Sequence, residues 1–326
     1  MAENVLKTQN NPLLLTKRQK AWEKVKNRSL LYALLSPAFI STIIFGIMPL
    51  VGLIVMFKDF DMVNYQDPFI GMFTSPWAEH FGMGNFIKFL SNELIWPALL
   101  NTILLAILGI IISPPFPIAL ALLFNELRVN FFKKFTQTVS YLPHFLSIMT
   151  VLGLVMNICS KYGPINDFMM NFGLIKDRII LLQIQELFIP IILITQIWVG
   201  TAWGSILYLA GIANADPQLY DAAKIDGATR MKQMFVITLP CIVPMFVISM
   251  IFSVGGILSS NFALIYGLQN PKIDFETLDT LVYKMGMEQG DFTLSAALGF
   301  TKGMIGLALT LGVNWFAKKI SGIGVY

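Results

Sequence analysis

The sequence predicts an all-α, polytopic membrane protein with six transmembrane helices. Composition, the length of the apolar runs and the placement of basic residues between them all point that way. Hydrophobic residues make up 56% of the 326, and charged residues only 13%. An ordinary soluble domain carries roughly 25% charged residues. Mean hydropathy is +0.68. The apolar residues fall in runs at 30–57, 94–124, 139–159, 187–213, 241–261 and 294–316. Each is long enough for a helix to cross the hydrocarbon core, which takes about 20 residues. Backbone polar groups find no water in lipid, so runs of this length must be helices, and the alternating pattern of a membrane barrel is absent.

The first run follows a polar, basic tail, residues 1–29, which includes Lys17, Arg18, Lys20, Lys24, Lys26 and Arg28. A cleaved secretory leader has a shorter apolar core, so the first run is read as a span. The tail is read as a lipid-contacting topology signal and not as a nucleic-acid arm, because it abuts a span. With the N-terminus in the cytoplasm, 15 of the 23 Lys and Arg residues fall on the cytoplasmic side and seven outside, with Lys302 inside the last run. That asymmetry predicts both termini in the cytoplasm. Cys159 and Cys241 then lie at opposite ends of their spans, too far apart for a disulfide, and neither has metal-ligand company.

Prolines punctuate the runs. The cluster Pro114, Pro115 and Pro117 predicts an interrupted helix, since each proline removes a backbone donor. Such breaks survive where neighbours or a cavity satisfy the freed groups. His80 and His144 are isolated and read as structural, His144 bonding backbone freed by Pro143. Lys302 has two readings, either a snorkelling or ion-paired lysine or a residue of a translocation path. The loops at 58–93, 160–186 and 262–293 are acidic, and they read as docking surfaces or as solvated connections.

Residues 214–240 form a cytoplasmic segment between the fourth and fifth runs. Asp216 is an N-cap, Pro217 suits the first helical position, and Gly227 supplies a left-handed stop. A short helix through Gln218 to about Asp226 follows, then a second one leading to Leu239-Pro240, where the fifth span begins. Leu219, Ala222 and Ala223 share one face of the first helix. That face is small enough to lie in a groove of another protein, and Asp221 can pair with a basic residue there.

Asp221-Ala222-Ala223, three residues, Gly227, nine residues, Ile237-x-Leu239-Pro240 resembles the EAA signature of binding-protein-dependent permeases, with Asp in place of Glu at 221. Further segments resemble the LplB-like branch of carbohydrate permeases: Leu123-Phe124-Asn125-Glu126, Tyr141-Leu142-Pro143-His144, Ile206-Leu207-Tyr208-Leu209-Ala210, Ser260-Asn261-Phe262 and Leu278-Asp279-Thr280-x-Val282-Tyr283. The resemblance covers roughly residues 30–326. It implies a MetI-like permease domain of a type I ATP-binding-cassette importer for oligosaccharides or polysaccharides, alginate-type systems included.

The implied partners are a second permease chain forming a heterodimer, two ATPase subunits, an extracytoplasmic solute-binding protein, the carbohydrate and membrane lipid. The ATPases use ATP and Mg, and this chain binds no cofactor and catalyses nothing itself. No Walker A pattern occurs in it. The resemblance makes Tyr220, Asp221, Ala222, Ala223, Asp226, Gly227, Leu239 and Pro240 the ATPase-coupling residues. It makes Gly200, Trp203, Ser253, Ser260 and Asn261 the substrate path, with Gln196 and Trp198 as weaker candidates. Ordinary helix packing is the competing explanation for Gly and Ser at such positions. The alternative function is a secondary transporter or channel subunit. Coupled carriers keep acidic residues in their spans, and these runs hold none. A membrane-embedded enzyme would need clustered catalytic groups, which the runs also lack.

Overall fold

A computed structural model describes residues 25, 28–64 and 67–322. The predicted basic tail lies almost wholly outside the described residues. Long helices dominate: α1 (Ser29–Phe57), α4 (Ile95–Glu126), α8 (Gln185–Ala213), α10 (Arg230–Gly255) and α13 (Phe292–Ser321). Shorter ones lie between them. They are α2 (Pro68–Thr74), α3 (Gly84–Leu90), α5 (Asn130–Phe145), α6 (Ile148–Ile158), α7 (Pro164–Asn171), α9 (Pro217–Ile225), α11 (Phe262–Leu268) and α12 (Leu278–Tyr283). Five helices are long and apolar enough to cross a membrane, and there are six spans if the bent pair α5–α6 counts as one. The described residues contain no strand, only an isolated bridge between Lys58 and Trp77.

The third predicted span differs most from expectation. It begins at Asn130, nine residues before the apolar run, and α5 meets α6 at 93°. Pro143 lies in a tight 3₁₀ turn, Leu142–Phe145, where a residue without an N–H is tolerated. Leu146 and Ser147 are then extended, and the Ser147 hydroxyl caps α6 by accepting from the Thr150 N–H at 3.3 Å. The proline cluster in α4 behaves as predicted. Helical bonding lapses at Ser113–Pro114 and resumes at Pro115. The fifth span starts earlier than its apolar run. Helix α10 continues from Arg230 through a π-turn at Met234–Thr238 into Leu239, so Leu239-Pro240 is no boundary.

The core is held by close packing of apolar side chains. Phe188, Ile192, Leu264 and Ile265 are fully buried in one cluster with Val151, and Ala98, Leu278 and Ala297 centre another. Helices α10 and α13 approach closely. A Cβ placed on Gly255 would sit 2.0 Å from Thr310 Oγ1, and one on Gly306 would sit 3.0 Å from the Gly255 carbonyl. Small residues at such a crossing let backbones meet where lipid supplies no hydrophobic drive.

Both large clusters draw on residues 264–285. The segment 262–293 is therefore folded in part into the bundle, with Glu276 and Asp279 half-buried, while Asp274, Glu288 and Asp291 stay exposed. Asn101 Nδ2 donates to the Glu276 carbonyl at 2.9 Å, and Thr102 Oγ1 accepts from the Leu278 N–H at 2.9 Å. Thr277 and Thr280 form a reciprocal capping box at the start of α12. Tyr266 donates to Glu288 at 2.7 Å, and that carboxylate pushes the phenol up to about 12.

Candidate functional site

Two places in the fold have the geometry of function, a cavity between the spans and an exposed helix at one end of them.

The cavity has a volume of about 990 Å³ and lies among α4, α8 and α10 with the link that follows α10. On α8 its wall is Gln196, Gly200, Trp203, Gly204 and Leu207. Those positions repeat at helical spacing and so share one face. Trp198, two residues from Gln196, points off that face and is absent from the lining. From α10 and its link come Ser249, Ser253, Ser260 and Asn261. All five residues predicted for the substrate path thus meet around one space. Trp203 remains 47% exposed there, and the His144 ring lies flat against it, centroids 4.4 Å apart and planes 6° apart. His144 thus shapes the cavity's principal aromatic surface, a role different from the backbone bond expected of it. Gly200 leaves open space, with nothing within 4 Å of a Cβ built on it.

The sequence reading missed the third wall, formed by Thr102, Ala106, Gly109, Ser113, Pro114 and Pro117 of α4. It also missed Tyr208 and Ser249, whose hydroxyls lie 3.2 Å apart. The proline cluster was the available signal. Pro114 and Pro115 have no N–H for the Ile110 and Ile111 carbonyls, and such freed groups are tolerated where they border a cavity. Among the described residues the lining mixes hydroxyls, amides and aromatic faces and holds no charged side chain.

Lys302 lies behind this wall. It forms an ion pair with Asp279 of α12, with 17% and 18% of the two side chains exposed. The other carboxylate oxygen of Asp279 accepts from the Ser260 N–H at 2.6 Å and from Ser260 Oγ at 2.9 Å. The lysine is thus ion-paired, and its acidic partner comes from a segment that looked external in the sequence.

The exposed helix is α9. Its start and stop are built as the sequence predicts. The Asp216 carboxylate accepts from the Gln218 N–H at 2.9 Å, with Pro217 at the first turn. Such a cap contributes about 1 kcal/mol. At the other end Gly227 has φ +70°, its N–H donates to the Lys224 carbonyl at 3.1 Å, and the Ala228 N–H donates to Ala223 at 2.8 Å. That pair of bonds is the Schellman closure, which favours glycine. Asp226 is the C-cap.

No residue of α9 is buried. Leu219 is 51% and Ile225 87% exposed, Ala222 is exposed and Ala223 half-buried. Asp221 pairs with Lys224 at 2.9 Å on the open surface. Tyr220 turns inward, its hydroxyl 3.0 Å from that of buried Thr238 on α10. Leu239 and Pro240 follow Thr238 directly on α10, where Leu239 is half-buried against the cluster of Ala121, Tyr208 and Ile242 and Pro240 is exposed. Arg230 of α10 reaches Glu126 at the end of α4 at 3.4 Å. Among the described residues no group of three His, Cys, Asp or Glu side chains could hold a metal ion.

A bundle of broken spans around an uncharged polar cavity, with a capped and unburied helix at one end, has the parts of a permease. Residues 113–322, which run from the proline cluster to the end of α13, match the family described as binding-protein-dependent transport system inner membrane component. The chain belongs to this family.

Its relatives within the family include the polygalacturonan/rhamnogalacturonan transport system permease protein YteP of Bacillus subtilis (strain 168), 38% identical over 95% of this chain and 94% of that one. Protein LplB of the same organism is 34% identical over 99% of this chain and 100% of that one. Among solved structures, a chain of a bacterial ABC transporter involved in the import of the acidic polysaccharide alginate superposes with a TM-score of 0.80 at 33% identity, covering 93% of this chain and 99% of that one. The same transporter type in complex with an alginate pentasaccharide-bound periplasmic protein gives 0.79 at 32% identity. The chain therefore has the MetI-like permease fold and is a transport component of the inner membrane, not an enzyme.

Proposed function

We propose that this chain forms one half of the translocation pathway of an ATP-driven importer of oligosaccharides cut from acidic plant or algal polysaccharides. The observation that carries the reading is the cavity, where a half-exposed Trp203, backed by His144, stands among Ser, Thr, Asn and Gln side chains. Carbohydrates are held in this way, an aromatic face against the pyranose ring and neutral hydrogen-bonding groups around its hydroxyls. The substrates of the relatives, polygalacturonan, rhamnogalacturonan and alginate, support the acidic class.

In this reading residues 30–326 are the permease domain, the tail 1–29 and the C-terminus are cytoplasmic, and α9 faces the cytoplasm. A second, different permease chain supplies the other half of the cavity. Two ATPase subunits, using ATP and Mg, grip α9 through Leu219, Ala222 and Asp221, and Tyr220, Asp226 and Gly227 keep it stiff. Asp221 exchanges its exposed partner Lys224 for a basic residue of the ATPase. This chain binds no cofactor of its own. When the ATPase dimer closes, α9 is drawn with it. Its Tyr220–Thr238 contact passes the displacement to α10, whose far end borders the cavity. The loaded binding protein releases sugar into the opened cavity, and hydrolysis resets the bundle.

The test is ATP-dependent uptake into proteoliposomes holding both permeases, the ATPase and the binding protein. The panel comprises tri- to pentasaccharides of galacturonate and of alginate, with maltotriose as a neutral control. The proposal expects ATP-dependent uptake of at least one acidic oligosaccharide. Uptake that persists without ATP, or that excludes every sugar, refutes it.

A further inference from the structure

The link between α10 and α11 lines the cavity without being helical, so something else must hold its shape. Helix α10 ends at Gly255 and α11 begins at Phe262. Between them Ser260 and Asn261 face the cavity. The Asn261 amide oxygen is occupied, accepting from the Leu264 N–H at 3.3 Å as the cap of α11. Ser260 is held by Asp279, which accepts from both its N–H and its hydroxyl. Asp279 is held in turn by Lys302 of α13.

We propose that the Asp279–Lys302 ion pair is a positioning device for the cavity wall, orienting Ser260 and Asn261 so that they meet the hydroxyls of a bound sugar. The inference rests on the reading of the cavity as the carbohydrate path. An ionised carboxylate only accepts hydrogen bonds. The Ser260 proton is therefore committed to Asp279, and its remaining lone pairs turn towards Thr277, 3.0 Å away, and the cavity. Ser260 is thereby made an acceptor, suited to a hydroxyl that donates. Lys302 supplies the charge partner that a largely buried carboxylate needs. The pair presents no net charge to a cavity that has none of its own, so this wall reads hydroxyls and leaves sugar carboxylates to other parts of the assembly.

The test uses the solubilised complex of both permeases with the ATPase. Oligosaccharide affinity is measured by equilibrium dialysis with the acidic trisaccharide transported best in the uptake panel, alongside basal ATPase rate and kcat of uptake. In Asp279→Asn the remaining oxygen is drawn to Lys302, so the amide turns its NH2 towards Ser260 and meets it with a donor in place of an acceptor. It is expected to raise Kd at least tenfold, with basal ATPase within twofold of wild type. Asp279→Glu restores the acceptor and is expected to stay within threefold of the wild-type Kd. Asp279→Asn/Lys302→Gln leaves no uncompensated buried charge and is expected to bind as weakly as Asp279→Asn. A double variant that assembles with wild-type Kd overturns the proposal whether or not kcat falls, as does failure of both variants to assemble, which would make the pair purely structural. Trp203→Ala separates the two readings. If it weakens binding while Asp279→Asn does not, only the positioning role fails. If neither changes binding, the cavity is not the sugar path.

Discussion

Gly200 and Gly227 are both glycine for different physical reasons, and each makes a separable prediction. Gly200 lies mid-helix on the cavity wall with free space in front of it. Gly200→Phe therefore fills the path without straining the backbone. Uptake is expected to fall more than tenfold while complex yield and thermal midpoint stay at wild-type values. A variant that transports normally would remove this wall from the pathway. At Gly227 the constraint is conformational: φ is +70°, and no neighbour crowds the position. An L-residue there costs about 1 kcal/mol in the left-handed region, enough to fray the Schellman end without unfolding the bundle. Gly227→Ala is expected to insert and assemble normally, yet lose at least half of its substrate-stimulated ATPase. Full stimulation in that variant would mean the helix end need not be rigid.

Helix α9 combines strong local definition with no burial. Capped at both ends, it is stiff despite its nine residues, and Tyr220 tethers it inward to Thr238. A lever needs that combination, being rigid in itself, attached at one point and open on the gripping face. A cysteine at Ile225, 87% exposed, is expected to cross-link to the ATPase in native membranes. In complexes lacking the ATPase, a membrane-impermeant maleimide should label it only from the cytoplasmic side. Labelling from outside would invert the proposed topology. Most of this element was legible beforehand, because Asp-Pro starts and Gly stops are local chemistry. The α5–α6 bend was less so. Hydropathy marks apolar stretches, and α5 opens with Asn130 and carries Lys133 and Lys134, so its first turns were invisible to that measure.

Across the whole molecule, the spans hold together through small residues and folded-back loops. The contact of Gly255 with Gly306 and Thr310 is the tightest of these. Gly255→Leu would have to separate α10 from α13, and it is expected to abolish assembly, with complex yield below about a tenth of wild type. The Gly200→Phe control should assemble. Near-normal yield of Gly255→Leu would show that this crossing tolerates several ångströms of displacement.

Composition, apolar run length and local capping were enough to read a helical membrane protein, its proline interruption and the form of α9. Those properties depend on residues close together in the chain. The residues proposed for the path were also named beforehand, but their meeting around one cavity with Thr102, Ser113 and Tyr208 was not. Nor was the pairing of Lys302 with Asp279, because an acidic residue in a seeming loop looks solvated until that loop folds into the bundle. Contacts between positions more than twenty residues apart depend on how spans cross and how loops return. Hydropathy and spacing carry no record of that, and packing settles it.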